Sequence, residues 1–221
     1  MSRYVLCITK DGYMKYISHL DMIRLFKNCF KKSGVIIAYS QGFNPHPRMS
    51  FAQPLSLGYS SSCEVLEIET LENFEPEEIL IRINPALPDG IEAVKCDRLE
   101  SSRSLGARTC AASYEISIPV CRGYDGDAVE LCEGYLGREE IAAVKHQKTP
   151  ETDKTIDIKP MIRELSSKVV DNKLILYIRV DCGSLSNLSP ELVISSFLSF
   201  SGIHADREEI DVKRTSLEFL T

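Results

Sequence analysis

The 221-residue chain has no tryptophan, no Cys-x-x-Cys pair and no long apolar run. Each absence closes a door. A membrane helix needs about 20 consecutive apolar residues, and no stretch here approaches that. The start, Met-Ser-Arg-Tyr-Val-Leu-Cys, lacks the apolar core and small-residue cleavage site of a secretion signal. A cytoplasmic location without membrane contact is therefore expected. The eight cysteines (7, 29, 63, 96, 110, 121, 132 and 182) are scattered and mostly flanked by apolar residues. That placement suits reduced structural thiols rather than a disulfide framework. It also lacks the close spacing of zinc or iron–sulfur ligands, so no metal and no cofactor are expected. Walker loops, dinucleotide fingerprints and nucleophile elbows are missing as well.

What is present is ordinary globular composition, 43% hydrophobic and 26% charged, with a net charge of −6. The charge is unevenly placed. Residues 1–52 contain eight Lys/Arg and only two acids, a net +6, which leaves −12 for the other 169 residues. Such a separation points to one face that meets an anionic partner. The competing reading is that Lys27, Lys31 and Lys32 form the solvated face of a helix.

Element order is read from periodicity and turn chemistry. Arg3–Lys10 is a strand, with a turn at Asp11-Gly12. A helix opens at the capping Ser18, places Leu20, Ile23, Phe26, Cys29 and Phe30 on one face, and stops at Ser33-Gly34. Strands follow at Val35–Tyr39, Met49–Gln53 and Cys63–Thr70, then a helix from Glu75-Pro76 to Ile83 and a strand at Ile91–Leu99. The second series has strands at Tyr114–Val120, Glu140–Lys148, Leu174–Asp181 and Glu209–Phe219. Its helices lie at Asp127–Leu136 and from Ser189-Pro190 onward, and its middle is a long insert. The expected fold is α+β with two tandem ferredoxin-like (βαββαβ) domains. They occupy residues 1–100 and 113–221, joined by a linker at 101–112. A single mixed α+β domain is the alternative.

Two constellations carry chemistry. The first is Tyr16-Ile-Ser-His19-Leu-Asp21-Met-Ile-Arg24, where His19 sits in a first helical turn and could serve as an acid or base. The second is Tyr39-Ser-Gln41-Gly-Phe43-Asn44-Pro-His46-Pro-Arg48-Met-Ser-Phe51. Its prolines and glycine exclude regular structure and hold polar side chains at low entropic cost. Arg48 can grip phosphate or carboxylate at two points, and Tyr39, Phe43 and Phe51 could stack on bases. Phe51 falls in a strand and reads as core, so Phe43 is the expected exposed ring. The candidate ligand-binding set is Arg24, Lys27, Gln41, Phe43, Asn44, His46 and Arg48; His19 and His46 are the candidate catalytic residues. The basic insert from Lys145 to Pro160 could grip a phosphate or be merely a solvated loop.

Tyr16-Ile-Ser-His-Leu-Asp, the run from Tyr39 to Ala52, Pro54-Leu-Ser-Leu-Gly58 and Asn84-Pro-Ala-Leu-Pro-Asp-Gly90 resemble the radical-SAM-linked bacterial family of unknown function. The match covers about residues 3–180 and is strongest over 13–60, with Asp157-Ile-Lys-Pro a looser fit. Members occur alone or fused behind a cobalamin-binding radical SAM protein, beside genes for an E/G-type ribonuclease and ribosomal proteins. The resemblance implies a radical SAM protein as partner and RNA as ligand. It supplies no catalytic residue, and the chain lacks the three-cysteine cluster motif needed to cleave S-adenosylmethionine itself. The tandem order is also similar to that of CRISPR repeat-processing endoribonucleases, an analogy of fold. Three functions follow as expectations: an accessory protein presenting RNA to a radical SAM enzyme, an RNA-processing or RNA-modifying enzyme using His19 or His46, or a protein–protein scaffold.

Overall fold

A computed structural model describes residues 1–101, 103–121, 126–145 and 154–220. The fold is mixed α+β, built from ferredoxin-like units in tandem. Backbone contacts divide the chain into one compact unit of Met1–Thr109 with Arg214–Thr221 and a second of Cys110–Lys213.

The first unit runs β1 (Ser2–Lys10), α1 (His19–Ser33), β2 (Met49–Phe51), β3 (Ser60–Thr70), α2 (Pro76–Ile83) and β4 (Ile91–Arg98). This is βαββαβ. Antiparallel β1 lies between β4 and β3, and β2 pairs with the far end of β3, Met49 opposite Ile68. Strict alternation along β1 sends Tyr4, Leu6 and Ile8 into the core, where they meet Phe26, Phe30, Leu66, Ile79 and Ile83.

Local chemistry fixes α1 at both ends. The Ser18 hydroxyl accepts from the Asp21 N–H, and Gly34, at φ 73°, donates its N–H to Phe30 O. Its buried stripe is Met22, Phe26, Cys29 and Phe30. Leu20, expected on that stripe, is 64% exposed because the helix is rotated toward Met22. The expected strand at Val35–Tyr39 is reduced to two bridges, Ile37 with Thr70 and Tyr39 with Pro47. Pro47 has no N–H to continue a ladder, so one strand drops from the expected order.

The second unit runs β5 (Thr109–Pro119), α4 (Ala128–Leu136), a β6–β7 hairpin (Ala142–Lys145, Lys154–Asp157), β8 (Ile162–Val170), β9 (Lys173–Asp181) and α5 (Pro190–Ser201). Strand β9 lies between β5 and β8. Asp127 caps α4 and Ser189 caps α5. The final strand, β10 (Asp211–Phe219), begins in this unit, and from Arg214 it belongs to the first, beside β3. Strand β8 lies inside the stretch expected to be an insert. Asp171 and Asn172, both at positive φ (49° and 58°), turn it directly into β9. The phosphate-gripping reading of the insert covers Lys145–Pro160, of which residues 146–153 lie outside the described residues.

Backbone contacts divide the two units between Thr109 and Cys110, within the stretch expected as a linker at 101–112. That stretch contains α3 (Leu105–Arg108) and the first residues of β5. Polar bonds tie it down: Leu105 N–H donates to the Glu67 carboxylate, Thr109 Oγ1 to Leu105 O at 3.0 Å, and Arg108 Nε to Leu220 O at 2.7 Å. Small polar residues read as a linker here because their partners lie far away in sequence. Among the described residues no helix is long and apolar enough to cross a membrane.

Candidate functional site

The segment from Tyr39 to Arg48 is a closed loop on a short stem. Arg48 N–H donates to Ala38 O at 2.7 Å and Glu69 N–H to Arg48 O at 2.9 Å, which fastens the stem to β3. Above it, Ser40 N–H donates to His46 O at 2.9 Å, and His46 N–H returns a bond to Ser40 Oγ at 3.0 Å. Those bonds leave residues 41–45 as a projecting tip, with Gly42 at φ 125°, a region open mainly to glycine. Gln41, Phe43, Asn44 and His46 are all exposed there. Phe43 is fully so, at 112% of its reference area. An aromatic ring held in water by a stiffened loop is an anomaly for folding and a natural platform for a flat ligand.

Beside this stem runs a groove of about 640 Å³ lined by Lys27, Lys31, Ile36, Tyr39 and Pro47, among others. Lys27 and Lys31 are one helical turn apart on α1 and so face the same way. The Lys27 ammonium stands 5.9 Å from the centre of the exposed Tyr39 ring. No carboxylate lies within ion-pairing distance of Lys27, Lys31 or Lys32 among the described residues. The groove thus joins unneutralised cations to aromatic faces.

The two arginines of the candidate set behave differently. Arg24 is bound to Asp21 at 2.8 Å, and bonds from Ser18 and then Arg24 hold the Asp21 carboxyl below its ordinary range. Arg48 is bound to Glu69 at 2.8 Å and faces a separate hollow shared with the Arg3–Glu67 pair. Opposite charges therefore satisfy both guanidinium groups already. The structure brings Lys27 together with the Tyr39–Pro47 stem. Arg48 lines the other hollow and not the groove of Lys27.

The candidate catalytic histidines are also apart. His19 packs edge-on against Phe51, ring centres 5.8 Å apart, in a small pocket with Lys10, Met22 and Glu64. His46 is on the exposed loop. Neither ring makes a hydrogen bond to an acid or base among the described residues, so neither has the oriented partner that acid–base catalysis uses. Behind His19 lies a charged set that sequence reading missed. Arg214, 1% exposed, donates Nε to Glu64 Oε1 at 2.9 Å, and its other arm reaches Glu64 Oε2 and Gln53 O. Lys10 is buried nearby, and burial pulls its amine below the ordinary lysine value. Arg214 and Glu64 are 150 residues apart, beyond any local motif.

The family described as an uncharacterized protein conserved in bacteria (DUF2344) matches residues 3–190, and the chain belongs to it. No curated protein matches the chain. Among solved structures it is similar to a chain of a Cbf5–Nop10–Gar1 complex, with a TM-score of 0.54 and 10% identity, covering 97% of this chain and 48% of that one. The present chain thus spans about half the length of that neighbour, and at such identity the likeness concerns fold alone. A protein of unknown role from Galdieria sulphuraria aligns over 100% of this chain and 99% of its own at 15% identity. Its TM-score is 0.27, too low to carry an argument.

Proposed function

We propose that the chain is an RNA-recognition protein that works beside a radical SAM enzyme, holding a single-stranded segment along the α1 groove. The observation that carries this reading is the groove itself: Lys27 and Lys31, without carboxylate partners among the described residues, next to Tyr39 on the stem of the loop whose tip carries the fully exposed Phe43. Single strands are gripped by this combination, cations following phosphates while unstacked bases lie on aromatic rings. Lys32 adds charge at the helix end, and Gln41, Asn44 and His46 offer polar edges beside Phe43. Arg24 and Arg48 would have to exchange Asp21 and Glu69 for phosphate, so they contribute less than the lysines. The radical SAM enzyme enters through the sequence resemblance, whose strongest stretch, 13–60, contains α1 and the loop.

The test is titration of the purified chain with unstructured RNA at several salt concentrations. Each phosphate neutralised contributes about −0.7 to the slope of log K against log salt for single strands, so three lysines give a slope of about −2. Affinity that does not change with salt, or no binding at all, would sink the reading. Co-purification of a radical SAM enzyme that survives ribonuclease treatment would support the partnership; its loss with the RNA would show that RNA alone links the two.

A further inference from the structure

Eight scattered cysteines conceal one close pair. Cys7 lies in β1 between the core residues Leu6 and Ile8, so it faces away from the helices. Just beyond it along β1, the β1–β3 register shifts between Ile8 and Lys10. This irregularity sets Cys63 near Cys7, although regular pairing matches Cys7 with Val65. The Cys7 S–H donates to Cys63 Sγ at 2.8 Å. Both residues are half-buried and therefore within reach of a small molecule, unlike the buried Cys29, Cys96 and Cys132.

We propose that Cys7 and Cys63 are a redox-active dithiol, which exchanges with a low-molecular-weight disulfide and closes into a cross-strand bond between β1 and β3. The surroundings assign the roles. The Cys7 hydrogen bond, helped by the Arg214 and Lys95 charges, brings the Cys63 thiol from its ordinary 9.0 down to about 7, against burial and the Glu64 charge. The same contact and burial push Cys7 up, making it the proton donor of the pair. Cys63 is thus the attacking thiolate. It displaces one thiolate from the external disulfide and becomes a mixed disulfide. Cys7 then loses its proton, attacks Cys63 Sγ and expels the second thiolate. Two protein thiols are oxidised, one external disulfide is reduced to two thiols, and no other reactant is needed.

Oxidised glutathione serves as the probe on the full-length reduced chain at pH 7, followed by alkylation and peptide mapping. The expected product links the Cys7 peptide to the Cys63 peptide with the loss of two hydrogens, while Cys96 and Cys132 alkylate only after denaturation. Recovery of Cys7 and Cys63 as free thiols would overturn the proposal, as would a native chain that halts at a mixed disulfide. In Cys7→Ala the mixed disulfide on Cys63 should accumulate, and the pH midpoint of Cys63 alkylation should rise from about 7 toward 9.0. An unchanged midpoint would remove the role given to Cys7. Should that variant fail to fold, mapping of the native chain still decides.

Discussion

The two ends of α1 handle positive charge in opposite ways. Near its start, Lys10 and Arg214 are withdrawn from water, and Glu64 takes the Arg214 guanidinium at two points. Further along, Lys27 and Lys31 line an open groove with no carboxylate partner among the described residues. A buried cation must be paired, because stranding it costs several kcal/mol. A solvated one carries no such demand and stays available to a ligand. The net +6 of residues 1–52 therefore misleads if read as one patch. Part of it is committed within the fold, part is cancelled by Asp21 and Glu69, and the remainder concentrates on one helix face.

Substitutions can break this contrast, and the largest effect belongs to the buried pair. Arg214→Ala takes the two-point partner from the buried Glu64 and should cost about 3–5 kcal/mol in urea unfolding. Arg214→Lys should recover only part, since an ammonium cannot reproduce the two-point contact. A loss below about 1 kcal/mol would mean that water reaches Glu64 and that the contrast is false. Phe43→Ala should weaken RNA binding by about 1–3 kcal/mol, the usual worth of a base stacked on an aromatic ring. Its melting temperature should stay put, because the ring touches no core. Lys27→Ala and Lys31→Ala should each reduce the salt slope by about 0.7 with the fold intact.

Smaller still is Lys10→Met, which removes a buried amine while sparing Glu64–Arg214 and should raise the melting temperature slightly. The pH sign follows from the depressed lysine value. Below the folded pKa the amine is charged in both states and its burial penalty is fully present. As pH rises through that value toward the ordinary 10.5, the folded amine loses its proton first and the penalty disappears. The advantage of Lys10→Met should therefore shrink at alkaline pH; a constant advantage would point to packing instead. Arg24→Ala should move neither melting temperature nor affinity detectably, because Arg24–Asp21 is an exposed pair within one helix.

Much of the scaffold was legible in the chain because its causes are local. Ser18 and Gly34 mark the ends of α1, and Ser189-Pro190 opens α5, through bonds made within a few residues. Proline and glycine exclude regular structure from Ser40–Arg48 and leave Phe43 exposed, while Phe51, in a strand, is buried. Strand β8 escaped because an exposed edge strand has a weak apolar signal, although Asp171-Asn172 marked its turn. The short helix Leu105–Arg108 escaped because Leu105 and Arg108 are held by Glu67 and Leu220.

The sequence by itself determined the α+β class, the helix limits and the placing of an aromatic-tipped, proline-stiffened loop on the basic part of the chain. Backbone dihedrals and capping bonds act over a few residues, so neighbouring residue types suffice to reveal them. Only the tertiary structure decided which of the cations are spent. The Arg214–Glu64, Arg48–Glu69 and Cys7–Cys63 contacts join residues 150, 21 and 56 positions apart. Such pairings depend on strand register and on the exclusion of water, and neither exists until the chain has folded. The Tyr39–Arg48 segment shows both sides of this: its shape is local, while the lysines that give it a ligand to hold come from α1.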